Sequence, residues 1–391
     1  MKYNIDMIGR HLNKRIKEAA RKYPVISLVG PRQSGKTTLV KIAFPLKPYV
    51  SLEKPSELAF ALEDPEGFLA QYPHGMVIDE AQKAPELFSY IQAIVDDKQT
   101  AGMYVLTGSQ NFNFLQRVTE SLAGRTSIQK LLPFSLGELM ESPWDPSSLE
   151  AVLFAGGYPR IYDKKISPPD WLGNYILTYL ERDVRSIINV GNLSVFQRFL
   201  KMCAFRSGKL LNLSALANDC GITHNTARAW LSVLEASFIV FTLTPHYKNF
   251  NKRLVKTPKL FFYDTGLLCY LLGIDKEKGL MMRPEAGSIF ETFVISELLK
   301  SRANKGEPAN LYFWQDKLGR EVDCLIDKGR VIVPVEIKAG RTISQEYFKN
   351  LGYWCALSKC KKGKSFVVYA GDKSQKRSGG TVLGWRDLVL L

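Results

Sequence analysis

Three short, nearly continuous apolar runs stand out in the first third of the chain: Pro24–Val29, Gly75–Ile78 and Met103–Thr107. Unbroken runs of this kind suit strands covered on both faces, as in a parallel sheet. Ser127–Leu132 predicts a further strand, and the stretch from residue 81 to 97 predicts a loop and a helix with Leu87, Tyr90, Ile91 and Ile94 on one face. The opening MKYNIDMIGRHLNKRIKEAARKY reads as a basic amphipathic helix, with no apolar run of the kind a signal peptide carries.

The middle third is patterned differently. Residues 136–200 read as helical; in Trp171–Ile188 the apolar positions Ile176, Leu177, Leu180, Val184 and Ile187 recur close to every 3.6 residues. Phe154–Arg160 (FAGGYPR) reads as a loop by its Gly-Gly and Pro. Ser214–Asp219 predicts a short helix, Cys220-Gly221-Ile222 a turn, and Thr223 the N-cap of a second helix running to Glu235, which is helix-turn-helix spacing. Strand-like runs at Phe238–Leu243 and Lys259–Tyr263 follow, so the segment resembles a winged helix. As a DNA reader it would offer Thr223, His224, Asn225, Thr226 and Arg228, with Lys248, Lys252 and Arg253 against phosphate. Protein contact is the alternative use of such a module.

In the last third, Glu285–Lys300 predicts an amphipathic helix with Ile289, Phe293, Val294 and Leu298 inward. Strands are expected over 311–315, 321–326 and 331–338, then a helix at Gln345–Leu351 and a strand at Phe366–Tyr369. DKSQKRSGG reads as an exposed loop in which Lys373, Lys376 and Arg377 are solvated.

Chemistry concentrates where the first apolar run ends. Gly30, Pro31, Arg32, Gln33, Ser34, Gly35, Lys36 and Thr37 satisfy GxxxxGK[ST] in a strand–loop–helix context, with Thr38 following. The glycines let backbone amides turn toward a β-phosphate, Lys36 brings a point charge to the β- and γ-phosphates, and Thr37 brings a hydroxyl for Mg²⁺. The second run ends in Asp79 and Glu80, acids at the carboxyl edge of the sheet. Asp79 then holds Mg²⁺ through water, and Glu80 polarises the attacking water. Ser109, after the third run, is a candidate γ-phosphate sensor, with Gln110 as alternative; Arg125 is a candidate finger in cis or in trans.

Length and charge extend this picture. A chain of 391 residues suggests two or three domains, and the fold class expected from the buried strand runs alternating with helices is α/β. The net charge is +15, and residues 1–135, 136–279 and 280–391 carry excesses of +4, +4 and +7. The last third is thus the most basic, which favours a DNA partner seated partly there. Six scattered cysteines without a CxxC pair argue against a zinc site or a disulfide framework. No apolar stretch is long enough to span a bilayer, so a cytoplasmic protein is expected.

The motifs GPRQSGKTTL, VIDEAQ, VLTGSQ, SLAGR, LLPFSLGEL, GGYPR and YLERDVR, in that order, resemble the predicted AAA-superfamily ATPases that carry a C-terminal DUF4143 domain. The resemblance implies a P-loop ATPase core, and with the patterns above the expected domains are that core over 1–135, a helical lid and winged-helix region over 136–279, and a nuclease-like domain over 280–391. It carries ATP, Mg²⁺ and hydrolysis onto Gly30, Gly35, Lys36, Thr37, Asp79 and Glu80. The C-terminal layout resembles the PD-(D/E)xK superfamily. Glu291, with Glu297 as the weaker choice, Asp323, Glu336 and Lys338 would then form a metal site, although Val322 stands where that motif has proline. The expected function is ATP hydrolysis driving a conformational change, directed at DNA. An ATP-coupled nuclease and a nucleotide switch for a protein partner are the rivals.

Overall fold

The computed structural model describes residues 8–109, 112–180, 193–246, 255–359 and 364–391. Gln110, Val184, Ile187, Lys248, Lys252, Arg253 and most of YLERDVR lie outside these residues.

Five parallel strands form the first sheet: β1 (Val25–Gly30), β2 (Tyr49–Ser51), β3 (Val77–Asp79), β4 (Tyr104–Ser109) and β5 (Thr126–Lys130), in the order β2-β3-β4-β1-β5. Every residue of β1 is buried, as its unbroken apolar run requires. Ile26 and Leu28 pack on one face against Leu12 and Ile16 of helix Leu12–Ala20 and Leu39 and Val40 of helix Lys36–Ala43. Val25 and Val29 belong to the opposite face, with Leu87, Phe88, Ile91 and Val95 of helix Leu87–Lys98. Tyr90, expected inward, is instead 40% exposed, because the 87–91–95 ladder takes the sheet-facing stripe. The four anticipated strands are present within one or two residues of their expected bounds. β2 was not legible, since three residues carry no period.

The middle region is helical. FAGGYPR, expected as one loop, is irregular only at Gly156–Tyr158: Phe154 and Ala155 end helix Leu149–Ala155, and Pro159 opens helix Pro159–Asp163 at the position where a missing N–H costs nothing. Helices Leu193–Ala204, Leu213–Cys220 and His224–Ala236 follow, then an antiparallel pair, β6 (Val240–Leu243) and β7 (Lys259–Phe262), with Leu243 opposite Lys259. Thr223 caps its helix by accepting from Thr226 N–H at 3.1 Å.

Helix Ala286–Lys305 leads into a six-stranded sheet of β8 (Leu311–Gln315), β9 (Glu321–Asp327), β10 (Ile332–Lys338), β11 (Phe366–Tyr369), β12 (Gln375–Arg377) and β13 (Gly380–Gly384). Its order is β12-β13-β11-β10-β9-β8. The polar tail is therefore not simply a loop. Gln375–Arg377 pairs antiparallel with β13 and stays exposed, since an edge strand needs only one ladder. One apolar core runs through both the middle and C-terminal regions, joining Phe196, Trp230 and Phe261 to Phe293, Val335 and Leu388. Among the described residues Cys203, Cys220, Cys269 and Cys324 are free, whereas Cys355 is disulfide-bonded.

Candidate functional site

The P-loop leaves β1 at Gly30, where the backbone passes so close to the end of β5 that a Cβ would stand 2.1 Å from the Leu131 carbonyl oxygen. Only glycine fits. Positive φ at Gln33 (61°) and Gly35 (91°) flanks Ser34 and curls the loop, the backbone form that turns successive amides toward an anion. The ammonium of Lys36, buried, donates to the carbonyls of Gly30 (3.0 Å) and Pro31 (2.8 Å). Ser34 Oγ is buried with no hydrogen-bond partner among the described residues. A curled backbone, a folded-back lysine and an orphaned hydroxyl suit a phosphate chain. Thr38 is exposed on the following helix.

Asp79 ends β3 and faces this loop. The Thr37 hydroxyl donates to Asp79 Oδ2 at 2.8 Å, and the hydroxyls of Tyr49 and Thr107 also donate to the same carboxylate. Burial and the neighbouring Asp79 push the Tyr49 hydroxyl well above its usual pKa, so it stays a donor. Thr37 and Asp79 together are the donor set a hard, oxygen-seeking cation takes beside phosphates. Glu80 sits in the left-handed region (φ 60°, ψ 40°) and accepts from Gln82 Nε2 at 2.5 Å. Ser109 lies directly opposite Gly30 in the β1–β4 register.

Arg125 is not brought to this site. It precedes β5, whose Thr126 is in register with Val25, so it lies at the edge of the sheet opposite Gly30. There it forms an ion pair with Asp96, Nη2 to Oδ2 at 2.7 Å, and donates to Ala123 O. A finger in cis is excluded by this placement.

Two arginines that the sequence reading did not assign do meet the loop. Arg10 donates to Ser34 O (2.8 Å), Leu132 O (2.6 Å) and Glu138 Oε1 (3.0 Å). Arg160, exposed, reaches Gln33 Oε1 at 3.4 Å, and a Cβ on Gly35 would stand 3.9 Å from Pro159 Cγ. The signal for Glu138 was legible: Ser135-x-x-Glu138 is a capping box, and both of its reciprocal bonds form.

The second candidate set also converges. Lys338 lies 2.7 Å from Glu336 Oε1 and 3.7 Å from Asp323 Oδ2, and Asp323 Oδ2 accepts the Ile337 N–H at 2.7 Å. Glu291, Glu321 and Asp323 present oxygens within 4.8 Å of one another. Burial chiefly, with Asp323 nearby, pushes Glu336 up to about 8; burial likewise lifts Glu291 to about 7, against the pull of Lys259. Burial alone would lower Lys338, but Asp323 and Glu336 raise it overall. Glu321 and Lys259 were not anticipated, because nothing in sequence places β7 against β9. Glu297, the weaker choice, points elsewhere: it pairs with Lys300 (2.8 Å) and accepts Leu136 N–H (2.6 Å).

A parallel sheet with a phosphate-type loop after β1 and an acid ending β3 defines an AAA-type P-loop fold. Residues 22–140 match the family described as AAA domain, residues 286–388 the Domain of unknown function (DUF4143), and residues 146–278 the Domain of unknown function (DUF8612). The chain thus carries a segment that matches the AAA domain family and, toward its C-terminus, one that matches DUF4143. It is 29% identical over 361 residues to uncharacterized proteins of Mycobacterium tuberculosis and Mycobacterium bovis, covering 92% of this chain and 79% of theirs. Solved structures with similarity include the Walker-type ATPase of Pyrococcus abyssi (16% identity, 68% of this chain and 96% of that one, TM-score 0.47). Another is AMPPCP-bound DnaA from Aquifex aeolicus (13%, 57% and 85%, TM-score 0.31). No described helix is long and apolar enough to cross a membrane.

Proposed function

We propose that this chain binds Mg²⁺-ATP and hydrolyses it, and that the nucleotide state is passed to the middle and C-terminal regions. The observation that carries the reading is the 2.8 Å bond from Thr37 Oγ1 to Asp79 Oδ2, which sets a hydroxyl and a carboxylate side by side at the mouth of the P-loop. Lys36 exchanges its bonds to Gly30 O and Pro31 O for phosphate oxygens. Ser34 Oγ and the curled amides supply further donors. Bound Mg²⁺ would neutralise charge on the β- and γ-phosphate oxygens. Glu80, held by Gln82, orients the attacking water and takes its proton. Ser109, in register with Gly30, and Arg160, which reaches Gln33, are our candidate sensors of the terminal phosphate.

DNA is the partner we favour. The charge of +15 supports it, as does helix His224–Ala236, which exposes Asn225 and Arg228 after a helix-turn-helix bend. Calorimetry and phosphate release test the enzyme reading. Lys36→Ala should abolish ATP binding, and Glu80→Gln should keep binding while turnover falls by about 10²-fold or more. Turnover equal to wild type in Glu80→Gln removes that residue from the mechanism. Stimulation by DNA that fades with added salt supports the DNA-directed reading; no stimulation favours a protein partner.

A further inference from the structure

Lys259 opens β7 in the middle region, yet its side chain ends among acids of the C-terminal domain. Its ammonium lies 2.9 Å from Glu291 Oε1 and also bonds Glu321 Oε1. With its side chain only 6% exposed, it sits beside the three carboxylates whose oxygens approach within 4.8 Å of one another. A trio at that spacing is what a hard divalent cation takes, but here a buried ammonium is already bonded to two of the three. Lys338 does the same on the other flank, between Glu336 and Asp323. Each lysine therefore spans two carboxylates. A metal ion entering the trio would meet a buried like charge and strip Glu291 and Glu321 of their partner.

The surrounding backbone fixes Lys259 in this position independently of charge. Gly208 N–H bonds Leu260 O at 2.7 Å, and a Cβ on Gly208 would stand 3.1 Å from Glu291 Oε2, so the middle region walls one side of the cluster. Ser207 Oγ lies 2.9 Å from Thr292 Oγ1. Past β6, His246 N–H bonds Phe313 O (2.7 Å), and ahead of β7, Val255 N–H bonds Gln315 O (3.1 Å), so main chain from either side of the hairpin extends the β8 edge.

We propose that, in the assembled chain, the Glu291–Glu321–Asp323 cluster is the socket for Lys259 and not a resident divalent-metal site. The C-terminal domain thereby clasps the β6–β7 hairpin through an ionic latch, and a divalent cation enters only when the hairpin withdraws. This departs from the metal site that the nuclease-like layout implies, and it does not depend on ATP hydrolysis.

The test uses the full chain carrying Asp79→Asn, which removes the carboxylate assigned to the nucleotide metal. Mn²⁺ is titrated without nucleotide and the bound ion is read by electron paramagnetic resonance. No Mn²⁺ site sensitive to Glu321→Gln is expected. Adding Lys259→Met should raise Mn²⁺ affinity by at least about tenfold, a gain that Glu321→Gln then removes. If the Met variant does not fold, Lys259→Gln serves in its place. A Mn²⁺ site in the Asp79→Asn chain that Glu321→Gln abolishes overturns the proposal, and so does a folded Lys259 variant with no gain.

Discussion

Arg10 and Glu138 form a buried ion pair, Nε to Oε1 at 3.0 Å, and the same guanidinium grips the carbonyls of Ser34 and Leu132. Glu138 also accepts the N–H groups of His11 (2.8 Å) and Ser135 (2.9 Å). The segment it organises is tied in turn to helix Ala286–Lys305: Lys300 donates to Phe134 O at 3.1 Å, and Glu297 accepts from Leu136 N at 2.6 Å. A continuous polar chain therefore runs from the P-loop to the helix that carries Glu291.

Removing one partner of such a pair leaves a buried charge uncompensated. Arg10→Met should cost about 3–5 kcal/mol, measured by urea denaturation, and should loosen nucleotide binding because Ser34 O loses its anchor. A cost under about 1 kcal/mol would mean the pair is solvated in a way its burial does not allow.

Acid should dismantle the same contact. Burial by itself raises the Glu138 pKa, but the charge of Arg10 and the N–H bonds from Ser135 and His11 outweigh it, so the folded value lies below the ordinary one. A depressed folded pKa contributes stability that is fully present above the unfolded value, about 4.3. That contribution disappears as pH falls through the folded value. Unfolding free energy followed downward from pH 6 should drop more steeply in wild type than in Glu138→Gln. Parallel slopes would place the acid sensitivity in other carboxylates.

Gly30→Ala should be among the more damaging small substitutions. The added methyl would stand 2.1 Å from Leu131 O, a backbone atom that cannot rotate away. A loss of about 1–3 kcal/mol is expected, read as a lower melting temperature, together with weakened ATP binding as β1 and β5 separate.

Arg160→Ala should leave stability nearly unchanged, because the side chain is exposed, while weakening ATP more than ADP. About tenfold is the expected difference, one charge-assisted contact to a terminal phosphate. Equal effects on the two nucleotides would detach Arg160 from the γ-phosphate and leave it as a neighbour of Gln33.

The P-loop half of the site was legible because its demands are local. Gly30 to Thr37 form one uninterrupted motif, and Asp79 and Glu80 close a strand whose apolar run announces it. The cis option for Arg125 looked open because a glycine before a strand looks the same at either end of a sheet; only the parallel register of Thr126 with Val25 shows that Arg125 precedes β5 on the far side. Arg10, Tyr49 and Thr107 escaped for the opposite reason. Each reaches Asp79 or the loop from a separate stretch of chain, across a sheet order that periodicity cannot supply. In the last third, alternation predicted β8 to β10 and put Glu336 and Lys338 on one face. It carried no hint that Lys259 would join them.

The apolar core common to Phe196, Trp230, Phe293 and Val335 means that no clean cut exists near residue 279. A fragment starting at residue 280 would expose Phe290, Phe293 and Ile295 without their cover, and a fragment ending there would lay open Leu260 and Phe261. Scanning calorimetry should accordingly record a single heat-absorption peak for everything beyond the first third of the chain, with neither piece surviving the loss of the other.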